Sequence, residues 1–179
     1  KLYFSDAGGE YLSGDGTDLT ITSGNDIVLA MGSGGDVYSV GADGNTGNTI
    51  FGKDAFNTST NNASDYNTFI GELAAGTGSV AGAVNNVGVG YKTLNALTSG
   101  ENNIAIGFEA LDANLTGDLN VAIGTSALGA FIGSASVAIG REALRDLNHA
   151  SAADGTIAIG TGAGASLTSG AANVAIGYQ

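Results

Sequence analysis

The sequence predicts a mainly β fold in which short parallel coils stack into a β-roll or β-solenoid. A four-residue motif recurs eight times, and each copy ends on a glycine. Successive glycines are 19, 19, 17, 17, 16, 20 and 17 residues apart, just below the usual length of a solenoid unit. A unit this short cannot fold alone, so the units must stack on one another. The repeat glycines are Gly52, Gly71, Gly90, Gly107, Gly124, Gly140, Gly160 and Gly177.

The residues just before each glycine predict a strand. The third residue before it is always β-branched, which favours a pleated backbone. The residue directly before it is always large and apolar: Phe51, Ile70, Val89, Ile106, Ile123, Ile139, Ile159 and Ile176. Residues two apart in a strand share a face, so we expect these two columns to point into a common interior. The small residues between them, such as Ala122 and Ala138, are then expected to face a neighbouring chain.

Two further columns complete each predicted coil. Asparagine stands four residues before the glycine in six units, with Ser136 and Thr156 in the other two, and stacking would turn this column into a polar ladder. After the glycine, alanine is common at the third position and leucine or phenylalanine at the fourth, a second apolar point that closes the coil. This second segment is interpreted as strand-like, with short helical turns as the alternative, because GFEALDANLTG and GREALRDLNHA contain good helix formers.

Composition restricts the classes of function. The chain has 179 residues, 31 glycines, no proline or cysteine, and a net charge of −12. Five basic residues offer little for phosphate binding, which argues against a nucleic-acid partner. The lack of cysteine excludes a disulfide framework and thiol chemistry. No apolar run is long enough to span a membrane, so membrane insertion is not expected.

The repeat divides the chain into three parts. Residues 1–40 lack the motif and are interpreted as a short-stranded shaft or adaptor segment. Residues 41–47 form a glycine-rich junction, and residues 48–179 form the repeat array. Because the last residues, AIGYQ, stop just after a repeat glycine, we expect the array to continue beyond residue 179 in a longer protein.

The units NNIAIGFEAL, LNVAIGTSAL, SVAIGREAL and NVAIGYQ resemble the YadA-like head repeats of trimeric autotransporter adhesins, in the longer NTAIGYQAL-like form found in bacteriophage tail fibres. The resemblance covers residues 48–179 and implies an intertwined parallel homotrimer with small residues at the contacts between chains. The units here are longer and more variable than the adhesin repeat. We expect the extra length to form loops outside the coil at residues 57–66, 76–84 and 147–155.

Neither catalysis nor a cofactor is predicted. His149 is the single histidine, so a serine triad would depend on one imidazole in a predicted loop. The carboxylates of Asp15, Asp18, Asp26, Asp36, Asp112 and Asp118 are interpreted as turn formers rather than as glycosidase acids. Calcium is the strongest alternative, since SGDGTD and SGND place oxygen ligands in glycine turns, although the strict repeat of calcium-binding solenoids is missing.

Two hypotheses of function remain open. The first is an extracellular fibre segment for host attachment, on a phage virion or on a bacterial surface as an adhesin head, with a host glycan or receptor as partner. The second is a structural spacer filament without binding activity in this segment. Exposed aromatic side chains would favour glycan binding, and the candidates are Tyr66, Tyr91, Phe108 and Tyr178. Tyr91, Phe108 and Tyr178 share the position after the repeat glycine, so a packing column is the alternative.

Overall fold

A computed structural model describes residues 47–56, 63–146, 154–167 and 170–179. The predicted segment 1–40, all of the junction except Gly47, and His149 therefore lie outside the described residues. Within the described part there are eight strands and no helix. The strands are β1 (Thr49–Phe51), β2 (Thr68–Ile70), β3 (Val87–Val89), β4 (Ile104–Ile106), β5 (Val121–Ile123), β6 (Val137–Ile139), β7 (Ile157–Ile159) and β8 (Val174–Ile176).

The eight strands form one parallel sheet in chain order, so each strand pairs with the corresponding strand of the next coil. The register is constant: Ile104 pairs with Val121, Ala105 with Ala122 and Ile106 with Ile123, and the other pairs follow the same rule. One β-branched column therefore stacks on itself along the axis. The predicted β-solenoid is confirmed, and each of the eight strands predicted from the repeat motif is in place.

The segment after each repeat glycine is a series of tight turns, neither the strand nor the helical turn considered from sequence. In the fifth coil the Ala127 amide donates to the Gly124 carbonyl at 3.2 Å, closing a four-residue β-turn. Ser126 and Leu128 have left-handed φ values of 52° and 51°. Non-glycine residues rarely adopt this conformation. Here backbone hydrogen bonds to the neighbouring coils stabilise this conformation. The Ser126 amide donates to the Phe108 carbonyl at 2.8 Å, and the Leu128 amide donates to the Ala143 carbonyl at 3.0 Å.

The core lies between the sheet and these turns, and the middle residue of each strand points into it. Ala105, Ala122, Ala138 and Ala158 are fully buried, as are the turn residues Leu94, Leu111, Leu128 and Leu144. The expected orientation of the strands was therefore wrong: the small residues face inward, and the β-branched and large residues face outward. A coil of 16 to 20 residues is too narrow to hold large side chains from both walls, so the large ones come from the turns.

The sequence contains a signal for this orientation. It lies in the side-chain volumes of two positions that face each other across the core, the middle residue of the strand and the fourth residue after the repeat glycine. Phe69 occupies the middle of β2, and the fourth residue after its glycine is Ala75; both are fully buried. In the next coil the sizes are reversed, with Gly88 in the strand and Leu94 in the turn. A large residue in one column thus accompanies a small residue in the other, as expected for two walls of one interior packed at constant density.

The predicted asparagine ladder is confirmed and lies buried along one corner of the first seven coils, whereas Asn173 in the last coil is half-buried. Asn103 is typical: its side-chain amide donates to Asn86 Oδ1 at 3.1 Å and to the Gly117 carbonyl at 2.8 Å. Its own Oδ1 accepts from the backbone and side-chain nitrogens of Asn120, both at 3.0 Å. The ladder weakens where asparagine is replaced, since the Thr156 amide reaches Ser136 Oγ at 3.3 Å and Thr156 Oγ1 has no hydrogen-bond partner.

The repeat glycines stack as a second ladder, which explains why no other residue occupies the position. Their φ values lie between 124° and 143°, a region that only glycine adopts without strain. A Cβ on Gly124 would also lie 2.6 Å from the carbonyl oxygen of Gly140 in the next coil. Backbone meets backbone along this column, so a side chain there would separate the coils.

The extra length at residues 76–84 does not form a loop outside the coil, contrary to expectation. Val80 and Ala83 are fully buried in the core. The Thr77 and Gly78 amides donate to the Asn95 carbonyl at 3.0 and 2.9 Å, so the segment stacks on the next coil along the chain. The longer repeat therefore builds a larger coil at this point. Residues 57–62 and 147–153 of the other two predicted loops lie outside the described residues.

Candidate functional site: the outer face of the sheet

The outer face of the sheet is a continuous apolar surface along all eight coils. It is formed by the first and third residues of every strand, which we call the outer sheet face. Most of the exposed large hydrophobic side chains of the described residues belong to it: Phe51, Ile70, Ile104, Ile106, Ile139, Ile157, Ile159, Val174 and Ile176. Neither column contains a charged residue, whereas the chain as a whole has a net charge of −12.

The exposed apolar area of this face is as large as the largest patch on a typical monomer. Its central isoleucines, Ile104, Ile106 and Ile139, are 37–39% exposed. The six of these side chains that lie between the first and the last strand present on the order of 400 Å² of apolar surface, while the largest apolar patch on a typical monomer is about 300–600 Å². Patches of this size mark interaction surfaces, so the outer sheet face is the candidate site.

The residues selected from the sequence fall into two groups in the structure. All eight repeat glycines lie at the end of a strand and start the turn segment. Ile106, Ile139, Ile159 and Ile176 lie exposed on the outer sheet face and Ile123 is half-buried there, instead of forming the core as expected. Their role as a repeated apolar column is thus retained, but the surface that they build is external.

A column of larger and more polar residues borders the outer sheet face, at the position just after each glycine. We call it the border column: Lys53, Glu72, Tyr91, Phe108, Thr125, Arg141, Thr161 and Tyr178. Its backbone is stacked coil on coil, because the carbonyls of Tyr91, Phe108 and Thr125 each accept a hydrogen bond from the following coil at 2.8–2.9 Å. The Tyr91 and Phe108 rings are stacked, with centroids 5.3 Å apart and an interplanar angle of 25°.

Tyr66 and Tyr178 do not join this aromatic pair. Tyr66 lies on the other side of the outer sheet face, five residues before a repeat glycine, and is 64% exposed at a φ of 60°. Tyr178 is 86% exposed in the last coil. Of the four aromatic candidates chosen from the sequence, the structure therefore brings two together, and these two are partly exposed.

The charged side chains of the described residues all lie outside the strands. Arg145 forms ion pairs with Glu142 at 3.1 Å and with Asp146 at 2.9 Å. Its hydrogen bond and charge lower the pKa of Asp146, and the same hydrogen bond to Asp146 raises the pKa of Arg145. Burial, together with the nearby charge of Glu109, raises the pKa of Asp112. These exposed pairs contribute little to stability because solvent screens them.

Of the acids chosen from the sequence, the structure describes Asp112 and Asp118. Asp118 Oδ1 accepts a hydrogen bond from the Glu101 amide at 2.8 Å, and Asp154, which was not among them, accepts one from the Ser134 amide at 2.7 Å. These bonds join neighbouring coils and form a second polar column that the sequence analysis missed. The motifs SGDGTD and SGND lie outside the described residues. Among the described side chains, no three His, Cys, Asp or Glu residues are grouped closely enough to hold a metal ion.

Fold and surface together define a parallel β-solenoid with an uncovered apolar sheet. Comparison with known proteins adds no family: no family model matches the chain, and no curated protein or solved structure is significantly similar to it. Over the described ranges, no helix is long and apolar enough to cross a membrane. The argument for function therefore depends on the outer sheet face and its border.

Proposed function

We propose that this chain is a segment of an extracellular, non-enzymatic fibre for host attachment, of the kind found in bacteriophage tail fibres or bacterial adhesin heads. The observation that carries the proposal is the outer sheet face. In water its inner strands alone would cost each chain on the order of 10 kcal/mol relative to full burial, at about 25 cal/mol per Å². Such a surface needs a permanent partner, as in obligate assemblies, whose interfaces are more hydrophobic than transient ones.

The partner that fits this face best is the same chain. The face repeats at about 4.8 Å per coil, so an identical chain lying parallel and in register places each isoleucine at the level of its counterpart. The absence of charge from both columns means that like charges never oppose each other across such a contact. Three chains around one axis would cover three such faces at once, and three is the number implied by the resemblance to adhesin head repeats.

A homotrimeric bundle of solenoids suits a fibre because its length is set by coil number. Seven coil-to-coil steps at about 4.8 Å advance the described array by roughly 34 Å. Each coil is joined to the next by backbone hydrogen bonds, the asparagine ladder and the glycine stack. The uniformity of these steps also favours the second candidate, a spacer filament that positions a binding domain located elsewhere.

The assembly can be tested by placing charge on the outer sheet face. The double variant Ile106→Glu and Ile139→Glu should convert a trimer into monomers or aggregates, measured by light scattering coupled to size exclusion. Leu115→Glu is the matched control, because Leu115 is 46% exposed in a turn away from the sheet. A wild-type chain that is a folded monomer at micromolar concentration would refute the proposal.

A further inference from the structure

We infer that the border column contains a saccharide-binding notch, formed by Phe108 on one side, Thr125 and Ser126 at its base, and Arg141 on the other side. The inference rests on the proposed function, since it gives the attachment fibre a site and a ligand class. The ligand would be a neutral hexopyranose at the exposed end of a glycan. Three features carry it: the orientation of the Phe108 ring, the small residues of the next coil, and the polar groups around them.

One face of the Phe108 ring stacks on Tyr91 of the preceding coil, with centroids 5.3 Å apart and an interplanar angle of 25°. The opposite face is therefore turned toward the following coil, which carries Thr125 and Ser126. The ammonium of Lys92 lies 5.3 Å from the Tyr91 ring centroid and 4.0 Å from Glu109, the neighbour of Phe108. The fifth coil has no aromatic residue in the border column, so the ring stack ends at Phe108, which is 48% exposed.

The fifth coil carries only small residues where its neighbours carry large ones. Thr125 is exposed and Ser126 is half-buried between the coil of Phe108 and the coil of Arg141. The backbone hydrogen bonds from Ser126 to Phe108 and from Glu142 to Thr125, both 2.8 Å, fix the three coils at successive levels. Two coil steps are about 9.6 Å, which leaves room for one sugar ring between the Phe108 ring and the Arg141 side chain.

The groups around this notch suit a sugar better than an apolar ligand or an ion. The apolar C–H face of a pyranose packs on an aromatic face, whose negative quadrupole attracts the polarised hydrogens. The hydroxyls of Thr125 and Ser126 can donate and accept hydrogen bonds. Arg141 is already paired with Glu142 at 2.6 Å, so together they offer donors and acceptors with little net charge. That pairing favours a neutral sugar over an acidic one.

The border column lies past the repeat glycine, where the strand has ended and the chain has begun to turn. The notch therefore borders the outer sheet face without belonging to its two columns. A trimer that covers the sheet can leave three copies of the notch on its outside. Three weak sites on one rigid fibre would then act together through multivalency.

The test uses the full chain on an array of defined neutral oligosaccharides that end in glucose, galactose or N-acetylglucosamine, followed by titration with the best binder. Phe108→Ala removes the aromatic face, and Thr125→Phe fills the notch by extending the ring stack. Each should weaken binding at least tenfold. Lys53→Ala is the matched control, since Lys53 is in the same column, four coils from Thr125, and should leave affinity unchanged.

Oligomer mass, measured on the same variants, separates this inference from the proposed function. Binding that is lost in both variants while the mass is unchanged supports the notch. No binding to any sugar of the array, or binding that neither variant weakens, would overturn the notch and leave the fibre proposal intact. Dissociation of the assembly by Phe108→Ala would also overturn it, because the aromatic pair would then be a contact between chains.

Discussion

Replacement of Asn103 by alanine tests whether the buried ladder holds the coils together. The substitution removes four side-chain hydrogen bonds: two donated by Asn103 to Asn86 and Gly117, and two accepted from Asn120. The Gly117 carbonyl keeps Asn114 as a donor at 3.0 Å, and the Asn120 side chain keeps the Gly133 carbonyl at 2.9 Å. The Asn120 backbone amide, in contrast, loses its side-chain acceptor inside the core.

The expected loss follows from this count. A buried donor left without a partner costs about 1–3 kcal/mol, and each ordinary hydrogen bond contributes about 0.5–1.5 kcal/mol. The free energy of unfolding should therefore fall by roughly 3–5 kcal/mol. Asn103→Ser should cost less, because serine already occupies this column at Ser136, where its hydroxyl oxygen accepts from the Thr156 amide at 3.3 Å.

Chemical denaturation followed by circular dichroism gives the overall change, and hydrogen exchange gives its location. Protection should fall first at the Asn120 amide and at the neighbouring coils, since a stacked array opens through nearest-neighbour contacts. Asn102→Gly is the control, because Asn102 is exposed with a φ of 58° that glycine adopts easily. The reasoning would be refuted by an Asn103→Ala variant that loses less than about 0.5 kcal/mol and keeps its Asn120 amide protected.

Three further substitutions test the remaining features. Gly124→Ala should destabilise by at least about 2 kcal/mol through strain and a backbone clash, whereas Gly82→Ala, with a positive φ but no atom within 4 Å, should cost less in the same denaturation assay. Ala138→Leu should lower stability by about 1–3 kcal/mol by overpacking the core; dissociation at unchanged stability would instead place Ala138 between chains. Asp112→Asn should stabilise the chain at pH 7 by less than about 1 kcal/mol, since burial raises the pKa of Asp112 but the residue is only half-buried and solvent screens its charge. A raised carboxyl pKa means that the native state favours the protonated form, so this gain should vanish as pH falls through about 3.9, and a gain that persists at pH 3 would contradict it.

The sequence contained enough to predict the strands, the ladder and the closing apolar column. A strand motif repeated eight times leaves little freedom in topology, because each short coil can bury its residues only against an identical neighbour. The buried asparagines were also predictable, since a stacked amide column satisfies its own hydrogen bonds. These features depend on the repeat itself and on local chemistry.

The orientation of the strands was not obtained from the motif, because a period of two residues defines two faces without saying which is inside. The assumption that larger residues lie inside failed because Leu111 and its equivalents already fill the narrow interior from the turns. The turn conformation could not be predicted from the sequence for a different reason. Left-handed residues such as Glu109 and Leu111 are unfavourable locally and are stabilised only by the coils on either side.

The surface that contacts a neighbouring chain was therefore predicted on the wrong face of the strands, although the residues of both faces were identified. Ile106 and Ile139 were expected in the core and lie at the surface, while Ala122 and Ala138 were expected at a chain contact and lie in the core. The sizes of the two facing positions were the sequence signal that could have corrected this. The large Phe69 accompanies the small Ala75 in one coil, and the small Gly88 accompanies the large Leu94 in the next. The notch beside Phe108 depends on ring orientation, which no sequence pattern specifies.

The most direct test of the central claim is the distance between equivalent residues of associated chains. The chain has no cysteine, so Glu72→Cys near one end of the array and Thr161→Cys near the other can each carry a single spin label. If identical chains cover the outer sheet face in parallel and in register, pulsed electron spin resonance will give one short distance that is the same for both sites. Antiparallel association would separate each pair of labels by about five coils, roughly 24 Å along the axis. That longer distance, or no interchain distance at all, would contradict the account.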